Sequence, residues 1–223
     1  MLNNRLQCIA NCVPKGAKVI DVGCDHAYLA IKLIIDEVAE AVVASDVVCG
    51  PVAAAQKNIM KYGLQNKIKV IQANGVQGIQ PAEVDCIIIA GMGAGVIIEI
   101  LEAGKAVLQE CKTLVLQPMV GVELIRTWLA ENYWQITAEH LVEDNEILYE
   151  IIVATPSKDK QELSLREKYF GKLESEPLFP RYRQELIAKQ EKIQASLKKA
   201  RPTDVIREKY TALEELLQTL KEG

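Results

Sequence analysis

Short apolar runs recur along the first two-thirds of the chain. Each ends at a turn residue and gives way to a segment whose apolar positions repeat every three or four residues. The runs at 18–22, 41–45, 68–72, 84–90 and 113–116 read as strands, and the intervening segments at 28–35, 94–102 and 121–132 as helices. Pro51 suits the first turn of a further helix that runs to about Tyr62 and is closed by Gly63. Leu2, Leu6, Ile9 and Val13 share one face of an N-terminal helix over 2–13. Near-continuous apolar strands separated by helices predict a parallel sheet covered on both faces. Two later strands, 136–142 and 147–154, flank the polar turn Glu143-Asp144-Asn145 and predict an antiparallel hairpin that closes the sheet.

From Thr155 the pattern changes. Pro156-Ser157-Lys158 reads as a linker, and charged helical sequence follows. Leu186, Gln190, Ile193, Leu197 and Ala200 fall at heptad spacing, and Ile206, Tyr210, Leu213, Leu217 and Leu220 continue it after a restart at Pro202. The expected organisation is a sheet domain over 1–156 and a helical hairpin of coiled-coil type over 157–223. That hairpin either grips a partner or stabilises the body.

Composition narrows the class. Hydrophobic residues make up 49% and charged residues 25%, enough for a large core. The apolar runs are too short to span a bilayer, and the first residues lack a secretory pattern, so a cytoplasmic protein without membrane contact is expected. Six cysteines at 8, 12, 24, 49, 86 and 111 form no C-x-x-C pair, so reduced, buried thiols and no metal are expected. The net charge of −4 conceals an asymmetry: residues 1–156 carry 11 Lys/Arg against 18 Asp/Glu, residues 157–223 carry 15 against 12. A basic tail on an acidic body is one footprint of a polyanion partner.

The candidate chemistry clusters after the strand ends. Asp21 leads into a tight turn at Gly23, and Asp25, His26 and Tyr28 follow at the start of a helix. This geometry exposes backbone amides to a ligand, with Asp21 placed to meet an ammonium group. Asp25 and Ala27 stand at glycine positions of nucleotide-binding loops, so the dinucleotide fingerprint is missing. Asp46, with Val47 behind it, ends the second strand about 20 residues after the turn, where an acid binds ribose hydroxyls. Asn74-Gly75 follows the third strand, at the adenine position of class I methyltransferases. Gly91-Met92-Gly93 follows the fourth, where glycines admit a ligand close to the backbone. The Asp/Asn-Pro-Pro-aromatic sequence of exocyclic-amine methylases is absent there.

Asp21-Val-Gly-Cys-Asp-His-Ala-Tyr-Leu29, Ala90-Gly-Met-Gly93, Leu116-Gln-Pro118, Glu143-Asp-Asn145 and Tyr149-Glu-Ile151 occur in this order. In this the chain resembles the TrmK family of bacterial tRNA methyltransferases over nearly its whole length. The resemblance implies a class I Rossmann-like methyltransferase that transfers a methyl group from S-adenosylmethionine to N1 of the adenine at tRNA position 22. It also implies a tail that helps hold tRNA. The chain departs from the family at Met119, where Asn is usual, and in a hairpin turn one residue longer. Adenine N1 carries an in-plane lone pair and needs no deprotonation, so the chemistry is a matter of positioning plus stabilisation of the cationic product. Asp25 is the candidate carboxylate, His26 and Tyr28 shape the pocket, and Gln117 is placed to bond the adenine. His140, on a strand, reads as structural. The expected assembly is a monomer or weak homodimer. Two other classes remain open: a small-molecule methyltransferase whose tail oligomerises, and an NAD-binding module. The missing fingerprint argues against the second.

Overall fold

A computed structural model describes residues 2–199 and 203–222. The seam position Ala200, the cation Arg201 and the restart at Pro202 lie outside the described residues. The elements are α1 (Asn4–Asn11), β1 (Ala17–Val22), α2 (Tyr28–Ile35), β2 (Ala39–Asp46), α3 (Cys49–Lys61), β3 (Ile68–Gln72), β4 (Cys86–Met92), α4 (Ala94–Ala103), α5 (Lys105–Leu108), β5 (Thr113–Pro118), α6 (Val122–Glu131), β6 (Trp134–Asp144), β7 (Ile147–Pro156), α7 (Leu165–Phe170), a 3-10 turn (Leu173–Ser175), α8 (Phe179–Lys199) and α9 (Asp204–Lys221).

The seven strands form one sheet in the order β3-β2-β1-β4-β5-β7-β6. The first five are parallel, and β7 inserts antiparallel between β5 and β6. The strand order, not the strand direction, reverses between β1 and its parallel neighbour β4, the topological switch point at whose carboxyl ends ligands bind in such sheets. Alternation along the strands sends Ile20, Val22, Ile87, Ile89, Leu114 and Leu116 into one core with α4 and α6. Val19, Val42, Ile88 and Val115 enter the other, with α1, α2 and α3. Arg126 on α6 is fully buried and pairs at 2.7 Å with both Glu139 on β6 and Glu150 on β7. This pins the antiparallel hairpin to α6.

The hairpin differs from the expected Glu143-Asp144-Asn145 turn. Glu143 and Asp144 belong to β6, and the turn is Asn145-Glu146 alone, with φ of 50° and 65°. Two consecutive left-handed residues match the twist of the flanking strands, so the ladder extends to its tip. Past β7, Ser157 N donates to Tyr133 O (2.7 Å) and Gln161 N to Ala130 O (2.9 Å). The segment read as a linker is therefore held to the sheet unit, and the compact division of the chain falls after Glu162.

The second unit, 163–223, opens with α7, whose Ser164 and Glu167 form a reciprocal capping box. Phe170 and Phe179 meet edge to face at 5.1 Å, and Tyr182 donates to Tyr169 O (3.0 Å). Helices α8 and α9 run antiparallel: Arg183 Nε donates to Leu220 O (2.8 Å) and Lys221 pairs with Glu191 (2.7 Å). Leu213, Leu217 and Leu220 are buried as the heptad reading expects, and Leu216 joins them. Ile193 is exposed, so the apolar seam thins along α8. Among the described residues no helix is long and apolar enough to cross a membrane, and no cluster of His, Cys, Asp and Glu could hold a metal ion. All six cysteines are unbridged. Cys49 is exposed rather than buried as expected, because it opens α3 on the solvent side.

Candidate functional site

The loop between β1 and α2 is built on backbone hydrogen bonds to β2. Gly23 N (2.8 Å) and Cys24 N (3.0 Å) both donate to Ser45 O, and the buried Ser45 hydroxyl donates to Gly75 O (3.0 Å). The loops after β1 and β3 are thereby both tied to the carboxyl end of β2. Gly23 has φ +75°, a left-handed conformation that favours glycine, and a Cβ there would displace Met92 Cε, the flexible end of a side chain from β4. Asp25 and Ala27, which replace glycines of nucleotide-binding loops, nonetheless adopt left-handed conformations, with φ of 50° and 57°. The loop keeps the glycine backbone shape while carrying an acid, at a strain cost of about 1–2 kcal/mol per such residue.

Three carboxylates cluster at the carboxyl ends of β1 and β2. Asp21 is buried on β1, and burial, reinforced by the negative charge of Asp46, pushes its carboxyl up to about 7. Asp46 accepts from Asp25 N (3.2 Å) through one oxygen and from Val48 N (3.0 Å) through the other. Each oxygen keeps a lone pair for a further donor. Asp25 projects its carboxylate into solvent, 3.7 Å from His26 Nε2, and the His26 ring stacks on exposed Tyr28 at 5.6 Å between centroids. His26 O accepts from Asn58 on α3 (3.0 Å), which fixes the loop from below. Val47 is exposed beside Asp46, and Asn74 is exposed while Gly75 packs against Ile100.

Gln117 is placed differently from the expectation that it meets the adenine directly. It is fully buried, and its amide is engaged: Oε1 accepts from Gly91 N (3.1 Å) and Arg5 Nη1 (2.5 Å), and Nε2 donates to Pro118 O (2.9 Å) and Met119 Sδ (3.6 Å). Gln117 thus supports the Gly91 backbone and Arg5 from behind. Arg5, on α1, is a further candidate at this edge of the sheet. Its guanidinium lies over the Tyr149 ring of β7 at 5.5 Å, and Asn4 beside it donates to Glu143 O (3.0 Å). No local motif marks Arg5, because α1 reaches the sheet edge only through the tertiary fold. Gly91 and Gly93 frame Met92, whose O accepts from Met119 N (2.8 Å), so the β4 and β5 loops form one ledge. His140 sits on β6 opposite Ile151, within the sheet as expected of a structural residue.

The arrangement gathers exposed backbone at the strand ends, acids able to meet cationic and hydroxyl groups, and one arginine beside Gly91. A methyltransferase-domain family model matches residues 2–152. The tRNA (adenine(22)-N(1))-methyltransferase of Bacillus subtilis is 38% identical over 153 residues, 69% of this chain, and the match spans 64% of that enzyme's length. The crystal structure of the B. subtilis m1A22 tRNA methyltransferase TrmK superposes with a TM-score of 0.89 at 30% identity, covering 99% of this chain and 97% of that one. TrmK of Mycoplasma capricolum, solved with S-adenosylhomocysteine, gives 0.85 at 26% identity, covering 99% and 96%.

Proposed function

The chain belongs to the TrmK family of methyltransferases, and from that membership we propose that it methylates N1 of the adenine at position 22 of tRNA, with S-adenosylmethionine as donor. The 38% identity to the B. subtilis tRNA (adenine(22)-N(1))-methyltransferase carries this reading. The geometry of the strand ends supports it. The donor supplies a methyl group on a sulfonium. On the protein side, Asp21 meets the methionine ammonium as a carboxylate, and Gly23 and the Gly91–Gly93 ledge give the close backbone approach. Asp46 and Val47 face the ribose, with the two spare lone pairs of Asp46 accepting its hydroxyls. Asn74 and Gly75 border the adenine of the donor.

For the acceptor, N1 lies on the Watson–Crick edge, so the target base must leave its stack to reach the cleft. Attack uses the N1 lone pair and leaves the ring cationic. The solvent-facing carboxylate of Asp25 is suited to stabilise that charge, with the His26–Tyr28 stack as an aromatic wall. Gln117 acts at one remove, by fixing Arg5 and the Gly91 amide.

The helical unit serves as the tRNA grip. Arg181 pairs with Glu185, and Arg183 with the end of α9, which leaves Lys189, Lys192, Lys198 and Lys199 as its principal phosphate contacts. The working assembly is a monomer or weak homodimer in the cytoplasm. Incubation with bulk tRNA and labelled donor, followed by mapping of the modified nucleotide, tests the whole reading. Label at N1 of A22 is expected. Turnover that is indifferent to tRNA would overturn it in favour of a small-molecule acceptor.

A further inference from the structure

Arg5 has more donors than its surroundings use. One Nη1 hydrogen is directed at Gln117 Oε1, and the planar group rests on Tyr149. A guanidinium carries five N–H donors. Among the described residues no carboxylate lies within ion-pair distance of this one, although it is half-buried. Withdrawing a guanidinium from water without a counterion is costly, and the cost is recovered when an oxyanion arrives bidentately. Its orientation is fixed in advance by a fully buried amide whose other contacts are all made. Beside it, Gly91 has φ +78°, and a Cβ there would stand 3.5 Å from Nη1, so any side chain would narrow the space in front of the guanidinium. The acids at this sheet edge, Asp21, Asp25 and Asp46, suit cations and hydroxyls but repel oxyanions.

We propose that Arg5 is the oxyanion anchor of the cleft, closing its fork on a carboxylate or phosphate oxygen pair of a bound ligand. The inference rests on the methyl-transfer reading, which supplies two sources of that chemistry. One is the α-carboxylate of the donor; the other is a phosphate flanking the target adenosine. Aromatic support from Tyr149 holds the planar fork in one orientation.

Calorimetry on wild-type protein and Arg5→Gln, with S-adenosylmethionine and with its decarboxylated analogue, separates the sources. If the donor carboxylate is held, Arg5→Gln weakens S-adenosylmethionine roughly tenfold or more and leaves the analogue unchanged. If a phosphate is held, donor affinity stays constant. tRNA then binds more weakly, and the slope of log affinity against log salt falls by about one. Arg5→Lys keeps the charge without the fork, so it recovers only part of either loss. A folded Arg5→Gln protein with wild-type affinity for both ligands and an unchanged salt slope overturns the proposal. Should Arg5→Gln not fold, phenylglyoxal labelling of Arg5 in the wild-type protein decides. Protection by S-adenosylmethionine or by tRNA is expected, and labelling unaffected by either is the overturning result. Wild-type protein that does not transfer methyl to tRNA would defeat the functional reading instead, so the two failures are distinct.

Discussion

On the proposed pairing of Asp21 with the donor's ammonium, a buried acid held near neutrality makes donor binding a proton-linked event. Burial together with the charge of Asp46 raises Asp21 from 3.8 to about 7. An ammonium group can be paired only by the ionised form, so binding below that pH must expel a proton. With a single group at about 7, apparent affinity should rise roughly fivefold from about pH 6 to about pH 7, while the donor's own amine stays protonated. Calorimetry in two buffers of different ionisation enthalpy should count about 0.9 protons released per donor at the lower pH and about 0.5 at the higher. Asp21→Asn is nearly isosteric and should bind more weakly at neutral pH and lose the Asp21 part of the slope. The same shift has a stability consequence of defined sign. Because the folded value lies above the unfolded one, the penalty of the carboxylate is absent below about pH 4 and complete above about pH 7, with an upper bound on the order of 4 kcal/mol. Asp21→Asn without donor should therefore melt higher than wild type at pH 8 and alike at pH 4. A wild-type affinity with no pH dependence, or an Asn variant with the full slope, would refute the assignment of Asp21 to the ammonium.

Three further outcomes follow from the geometry. Gly23→Ala must hold φ +75° and push Met92 Cε aside, so it should weaken donor binding and destabilise the fold by about 1–2 kcal/mol, chiefly through backbone strain, read by calorimetry and urea titration. Arg126→Ala leaves Glu139 and Glu150 buried without their cation, so a loss of about 3–5 kcal/mol is expected in urea unfolding at pH 7; a loss below 1 kcal/mol would show that water reaches the pair. Charge reversal of Lys189, Lys192 and Lys199 together should weaken tRNA binding and flatten its salt dependence while leaving donor affinity unchanged; unaltered tRNA affinity would assign the helical unit to stability instead.

What was legible in the sequence was whatever depended on local pattern. Alternation and apolar runs locate all seven strands, and the order of turn residues puts Gly23, Asp46, Asn74 and Met92 at one edge of the sheet. The hairpin turn was misplaced because Glu143 and Asp144 are polar yet lie in strand. Pairing with Leu148 and Ile147 decides their state, not their own preference. Arg5 was invisible for a related reason. A lone arginine in an amphipathic helix reads as solvated surface, and only the contacts with Gln117 on β5 and Tyr149 on β7 give it a place.

Gln117 shows the limit from the other side. The apolar run before it puts Gln117 just past a strand, whereas it lies inside β5 near its carboxyl end, and position alone does not say whether an amide faces the ligand or the protein. The count of its hydrogen bonds does: with Oε1 accepting twice and Nε2 donating twice, no lone pair or hydrogen remains for an adenine edge unless one of those bonds breaks. Breaking the bond to Gly91 would free the loop that passes closest to Gly23. Breaking the bond to Arg5 would release the guanidinium from its fixed plane. Either loss disorders the cleft for a single new contact worth about 1 kcal/mol net. Gln117 therefore acts through its neighbours, and the neighbour whose donors remain free is Arg5.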